Sequence, residues 1–293
     1  MTQKKSDSIS HLVDESEEWK STRIENAPPD LYDPSQPRLG RRESEPHSAE
    51  VTYLRDVLST NFPAGRALWD LHHYFIASKG VFKGKKIDLQ LDVSFFNKLT
   101  IPFAISSYDA TMYEGKVPDM GINVLSKSTW RADISETIES CKDLSIPVYV
   151  VFSPYLVTSK RYAPPFLRAY ILQEDGSYKQ EELRAITIEE GGAIDETQVL
   201  DLSDKLPFRL GLMRLKQQLL GGKPLFRLIL IDPLEIRVLP TRREKEVEEA
   251  KKEAEEVKKE AEEVKKEAEE VKKEAEEVKK ELQEYRNKFG ELR

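Results

Sequence analysis

Asp88 and Asp92 fall on one phase of the alternating run Ile-Asp-Leu-Gln-Leu-Asp-Val-Ser-Phe-Phe, residues 87–96, so a strand there carries both carboxylates on one face. Carboxylates on neighbouring strand ends, with a lysine close by, are what metal-dependent phosphodiester cleavage requires. The carboxylates hold Mg²⁺, the metal stabilises charge developing on the transferred group, and the lysine polarises the attacking water. A solvated strand face is the plain alternative for Asp92. Other reactive side chains carry less. Asp119, in Val-Pro-Asp-Met, suits a turn before a strand better than a metal site. His72 and His73 are adjacent, so on a strand they face opposite sides and cannot chelate together. Gly191-Gly192 and Gly221-Gly222 lack the flanking residues of a phosphate loop or a dinucleotide fingerprint.

The elements that must position these groups lie between Pro46 and Thr241. Residues 48–60 place Val51, Leu54 and Leu58 on one helical face. Residues 66–76, apolar and aromatic, fit a strand at least as well as a helix, and a loop with two glycines joins them to the run at 87–96. Strict alternation there predicts Ile87, Leu89, Leu91, Val93 and Phe95 on one buried face. Met-Gly-Ile-Asn-Val-Leu-Ser, then a helical stretch from Asp133, then Ile-Pro-Val-Tyr-Val-Val-Phe read as strand, helix and parallel strand. Asp133 with Glu136 three residues on predicts a capping box, and Ile134, Ile138, Cys141 and Leu144 predict the buried stripe. Cys141 is therefore read as a small buried hydrophobe. Residues 166–183 predict a hairpin turning at Asp175-Gly176, and residues 225–240 a further strand pair. The expected middle is a mixed α/β domain.

Charge sits elsewhere. Of 293 residues, 34% are Asp, Glu, Lys or Arg, and 46 basic against 53 acidic residues leave a net charge of −7. Residues 242–293 hold 16 Lys or Arg and 19 Asp or Glu, 35 charged positions among 52. The heptad Ala-Glu-Glu-Val-Lys-Lys-Glu begins unchanged at Ala254, Ala261, Ala268 and Ala275. Its apolar residues step alternately by three and four, which is a coiled-coil seam. Two readings stay open: self-association through residues 242–293, or one charged helix supported by pairs such as Glu255 with Lys259. Residues 1–45, polar and proline-containing, predict a disordered leader in which Arg38, Arg41 and Arg42 are solvated. The acidic balance excludes a basic nucleic-acid coating protein and gives no support to DNA as a partner. No apolar run nears the about 18 residues of a membrane span, and the first ten residues lack a signal peptide's apolar core. The expected location is cytoplasmic, in keeping with a single cysteine.

The segments also carry a family resemblance. Residues 107–154, Ser-Tyr-Asp-Ala-Thr through Val-Val-Phe-Ser-Pro, resemble the Uma-two family of restriction-endonuclease-like proteins, which has the PD-(D/E)xK nuclease fold. The resemblance extends through residues 46–58, Asp-Leu-His-His-Tyr-Phe and Leu-Asp-Val-Ser-Phe-Phe upstream, then through the hairpin and residues 228–240 to the charged tail. It covers a nuclease-like domain over 46–241 and a heptad helix over 242–293, which with the leader over 1–45 make three parts. It also implies an endonuclease that uses Mg²⁺. Carried over by position, the family's Pro-Asp aspartate falls on Asp92, after Leu91 in place of proline, and an earlier strand aspartate on Asp70. The metal-binding glutamate falls on Asn123 of Asn-Val-Leu-Ser, and the lysine four residues after the helical aspartate falls on Thr137. Asp70 and Asp92 are then the carboxylates left for a metal, with Lys127 or Lys142 as surrogates for the missing lysine. Asparagine offers a cation only a neutral carbonyl, and the loss of one electrostatic donor slows such chemistry about 100- to 1000-fold. The expectation is a nuclease-fold protein that has lost catalysis and serves as a binding or scaffolding module. The alternatives are an active Mg²⁺-dependent DNA endonuclease and a structural protein whose domain anchors a coiled coil.

Overall fold

The computed structural model describes residues 44–80, 82–102, 104–127, 129–157, 160–219 and 221–290. The chain divides into units of residues Met1–Ser48 and Ala49–Arg293. The leader expected over 1–45, with Arg38, Arg41 and Arg42, lies outside the described residues save for Ser44 and Glu45.

The elements run α1 (Glu45–Asn61), β1 (Arg66–Ile76), β2 (Lys86–Phe96), β3 (Tyr108–Asp109), β4 (Met120–Val124), α2 (Trp130–Asp133), α3 (Glu136–Asp143), β5 (Val148–Phe152), β6 (Leu167–Leu172), β7 (Tyr178–Leu183), β8 (Ile188–Glu189), β9 (Arg209–Leu219), β10 (Lys223–Ile231) and α4 (Arg242–Phe289). Seven strands form one mixed sheet in the order β3-β1-β2-β4-β5-β6-β7, and three form a second in the order β10-β9-β8. The protein is a mixed α/β fold followed by a long C-terminal helix. β4 and β5 pair in parallel across α2 and α3, as the strand, helix, strand pattern predicts, and β6 and β7 form the expected hairpin. The second sheet corrects the reading of residues 225–240. β10 pairs with β9, an eleven-residue strand without an apolar alternation strong enough to be read, and the chain after Ile231 makes only a bridge at Val238.

Two apolar clusters cover the faces of the large sheet. Leu54, Val57 and Leu58 of α1 pack with Val93, Phe95, Ile122, Val124 and Val150, and the second sheet adds Leu210, Leu212, Leu228 and Leu230 to that cluster. The opposite cluster holds Leu89, Leu91, Phe96, Cys141, Tyr149 and Val151. Alternation along β2 therefore breaks. Ile87, Leu89 and Leu91 join one cluster while Val93 and Phe95 join the other, so the phase changes at Asp92. Its neighbour in register behaves likewise: Asp70, between the Trp69–Val93 and Leu71–Leu91 pairs, adopts a left-handed φ of 50°. A non-glycine residue held there stores strain and redirects the side chains that follow. Leu91 consequently lies against Gly121 of β4, where a Cβ would approach its Cδ1 to 2.8 Å.

The capping box at Asp133 does not form. Asp133 ends α2, the helix breaks over Ile134 and Ser135, and Ser135 precedes α3 without capping it, its hydroxyl donating instead to the Arg131 carbonyl at 2.7 Å. The stripe survives the break: Cys141 and Leu144 are buried, and Ile134 and Ile138 pack beside them. Burial pushes the Cys141 thiol above its ordinary range, which leaves it inert.

At the far end of α3 the buried Asp143 carboxylate accepts the Phe82 N–H at 3.2 Å, tying the helix to the β1–β2 turn. Gly80 makes this possible, with φ +72° and a Cβ position only 1.8 Å from Asp143 Oδ1. Gly80→Ala is expected to lower stability by about 2 kcal/mol, the sum of a left-handed alanine and a displaced carboxylate contact, measured as a lower urea midpoint.

Candidate functional site

β2 and β4 pair through Val93–Ile122, Ser94–Gly121 and Phe95–Met120. One step beyond Val93, side chains replace backbone in the ladder. The Asp92 N–H donates to Asn123 Oδ1 at 3.1 Å, and the Val124 N–H donates to Asp92 Oδ2 at 2.7 Å. The two residues fill a gap between strands that no longer bond backbone to backbone. Asn123, 4% exposed, then donates through Nδ2 to Asp133 Oδ1 at 2.8 Å. The Asp133 main-chain carbonyl in turn accepts the Tyr149 hydroxyl at 2.8 Å. Burial, with the Asp133 charge adding to it, holds the Tyr149 hydroxyl well above its ordinary range, so it remains a donor.

This chain fixes the orientation of the Asn123 amide. Its oxygen faces an N–H and its nitrogen faces a carboxylate; turning it over would set oxygen against Asp133. A glutamate at this position could still accept from Asp92 N–H, but its second oxygen would meet Asp133 where a donor now stands. Mg²⁺ is bound through oxygens, usually with one or two carboxylates. Here one amide oxygen and one Asp92 oxygen are engaged by main-chain N–H groups, and the remaining amide atom is a nitrogen directed at the neighbouring carboxylate. Two carboxylates, Asp92 and Asp133, thus stand on either side of a neutral amide at the position where the resemblance places a glutamate. Among the described residues no group of three or more His, Cys, Asp or Glu is arranged to hold a metal ion.

The other positions lie around this cluster to different degrees. Asp70 is exposed on β1 at its left-handed turn of backbone. Thr137 is half-buried on α3, beyond the break after Asp133, and among the described residues no side-chain hydrogen bond joins it to the cluster. Lys127 is exposed in the turn after β4, and Lys142 pairs with Glu139 along α3. Asp119 shapes the approach to β4, accepting the Asn97 N–H at 2.7 Å. His72 and His73 do face opposite ways. His72 bonds Asp88 at the surface, at 2.8 Å, while His73 is buried, with Ser94 on Nε2 at 2.7 Å and the Leu71 carbonyl on Nδ1 at 3.0 Å. Although Ser94 and His73 are hydrogen-bonded as a nucleophile and base would be, both are fully buried, which closes them to substrate. Sequence reasoning missed Tyr149 and gave Asp133 the wrong task. The available signal for Tyr149 was a tyrosine inside an apolar strand, since a buried phenol requires a partner.

No family model matches the chain. No curated protein matches it either. Among solved structures, the chain is similar to a protein from Anabaena variabilis ATCC 29413 described as a nuclease candidate belonging to DUF820. The TM-score is 0.34 and the identity 16%, over 50% of this chain and 70% of that one. No helix among the described residues is long and apolar enough to cross a membrane.

Proposed function

We propose that residues 46–241 are a restriction-endonuclease-like domain of the Uma-two kind that has given up metal-dependent cleavage and serves as a binding or scaffolding module. The observation that supports this is the closed chain from Asp92 through Asn123 to Asp133. Asparagine accepts a main-chain N–H on one side and donates to Asp133 Oδ1, one oxygen of a buried carboxylate, on the other, so a neutral amide ties two strands to a helix end where a metal-binding carboxylate would be needed. A structural amide has taken the position that the resemblance assigns to a metal-binding glutamate. Thr137 brings no positive charge to replace the family's lysine.

Plasmid cleavage in Mg²⁺ or Mn²⁺ tests the reading. The native chain is expected to leave supercoiled DNA intact, and the double variant Asn123→Glu, Thr137→Lys to nick it. Cleavage by the native chain that disappears with Asp92→Ala would sink the proposal and establish a Mg²⁺-dependent DNA endonuclease in its place.

A further inference from the structure

α4 carries an apolar stripe with nothing on it. Forty-eight residues at 1.5 Å each give a helix of about 72 Å. Val257, Val264 and Val271 are each 64% exposed, and Tyr285 and Phe289 each 68%. In heptad terms Val247, Ala254, Ala261, Ala268, Ala275, Leu282 and Phe289 take one core position. Ala250, Val257, Val264, Val271, Val278 and Tyr285 take the other.

The flanking positions identify the occupant. Before each first core position after Val247 stands Glu253, Glu260, Glu267, Glu274, Glu281 or Lys288; after each second core position stands Lys251, Lys258, Lys265, Lys272, Lys279 or Arg286. Two copies laid parallel and in register bring Glu253 to Lys258 of the second copy, and likewise Glu260 to Lys265, Glu267 to Lys272, Glu274 to Lys279 and Glu281 to Arg286. Every such contact is attractive. An antiparallel pair sets the glutamate row against itself and the lysine row against itself, and a lone helix leaves the valines and aromatics in water. Among the described residues the four repeats form no ion pair within their own helix; the pairs on α4 are Arg242 with Glu246, Lys252 with Glu248, and Arg237 with Glu248. The geometry points to a second copy of this chain as the partner, bound as a parallel, in-register coiled coil along α4.

The start of α4 makes that dimer an arrangement of domains as well as of tails. Thr241 and Glu244 form a reciprocal capping box, Asn61 donates to the Pro240 carbonyl at 2.8 Å, and the Arg242 N–H reaches Asp56 at 3.2 Å. With Leu239 buried immediately before, no free linker separates domain from helix. Parallel helices therefore carry both domains at the same end. This inference goes beyond the binding-module reading and does not depend on it.

The full chain at micromolar concentration is expected to show, by light scattering, twice its 33.7 kDa mass. The triple variant Lys258→Glu, Lys265→Glu, Lys272→Glu is expected to return to single mass. Mixing it with Glu253→Lys, Glu260→Lys, Glu267→Lys should restore the doubled mass as a heterodimer, a result that misfolding of either variant could not produce. Orientation is read separately. Ala254→Cys should form an interchain disulfide with itself in the parallel register, whereas full antiparallel overlap sets residue 254 against residue 278 of the second copy, so that Ala254→Cys links only on mixing with Val278→Cys. The native thiol, buried Cys141, does not compete. A monomer, an antiparallel linkage pattern, or failure of the mixed charge variants to associate overturns the inference.

Discussion

Asn123→Glu, made alone and measured in EDTA, is expected to destabilise the folded chain by about 3 to 5 kcal/mol, the range found when a buried ionic arrangement is left unbalanced. Asn123 sits between the Asp92 backbone and the Asp133 carboxylate and is 4% exposed. The glutamate is one methylene longer and carries no donor, so a carboxylate oxygen meets Asp133 where the amide now donates at 2.8 Å, and attraction becomes repulsion. Asn123→Gln separates charge from size, since it adds a methylene and keeps the donor; its expected loss is about 1 to 2 kcal/mol. Equal urea midpoints for the two variants would show that the cluster tolerates a second carboxylate. Mn²⁺ supplies a further distinction. If the introduced carboxylate and Asp92 create a cation site, metal at a hundred times its dissociation constant restores about 2.7 kcal/mol in the Glu variant and nothing in the native chain. The same substitution thus lowers stability without metal and returns it with metal, a coupling that an ordinary packing defect lacks.

The sequence made some of this legible because its patterns are local. The helical face at Val51, Leu54 and Leu58, the apolar runs of β4 and β5 and the heptads of α4 each bury, or repeat, at the period that defines them. β9 was not legible because its apolar phase shifts, from Leu210 and Leu212 to Met213 and Leu215, and it runs on through Lys216, Gln217 and Gln218 to a solvated end. The face change at Asp92 was hidden for another reason. Period-two reasoning assumes uninterrupted pleating, and here the change occurs where Asp70 turns left-handed and where side chains replace the β2–β4 ladder. The family resemblance, carried over by position, brought Asp92 and Asn123 to attention; the contact that explains the asparagine, with Asp133, depends on a helix break that the capping rule does not anticipate. The pattern Asp-x-x-Glu predicted a cap, whereas tertiary contact drew Asp133 inward.

Glu50 and His73 should give opposing pH dependences that nearly cancel in the native chain and separate in variants. His73 is buried among Phe75, Tyr108 and Ser94, and burial lowers its pKa from 6.5 to about 4, against smaller upward pulls from the Leu71 and Leu89 backbone and Asp88. Between those values the unfolded chain holds a proton that the folded chain does not, so stability rises with pH and is fully present above 6.5. The gain is on the order of 3 kcal/mol. Glu50, 3% exposed on α1, is shifted the other way. Burial raises it from 4.5 to about 7, outweighing the Arg227 guanidinium, whose Nε lies 3.1 Å from Oε1. There the folded chain holds the extra proton, so stability falls by a similar amount as pH rises from 4.5 to 7. Asp109, Asp175, Asp201, Asp232, Glu182 and Glu248, all lowered from their ordinary values, titrate below this range. From pH 4.5 to 6.5 the native chain is therefore expected to show little slope from this pair. Glu50→Gln leaves only the histidine and should gain about 1.4 kcal/mol per pH unit across that window. His73→Gln leaves only the carboxylate and should lose about as much. The readout is the slope of unfolding free energy against pH, which separates proton linkage from any constant penalty either substitution brings. Parallel slopes in all three proteins would show that neither buried group titrates between folded and unfolded states as described.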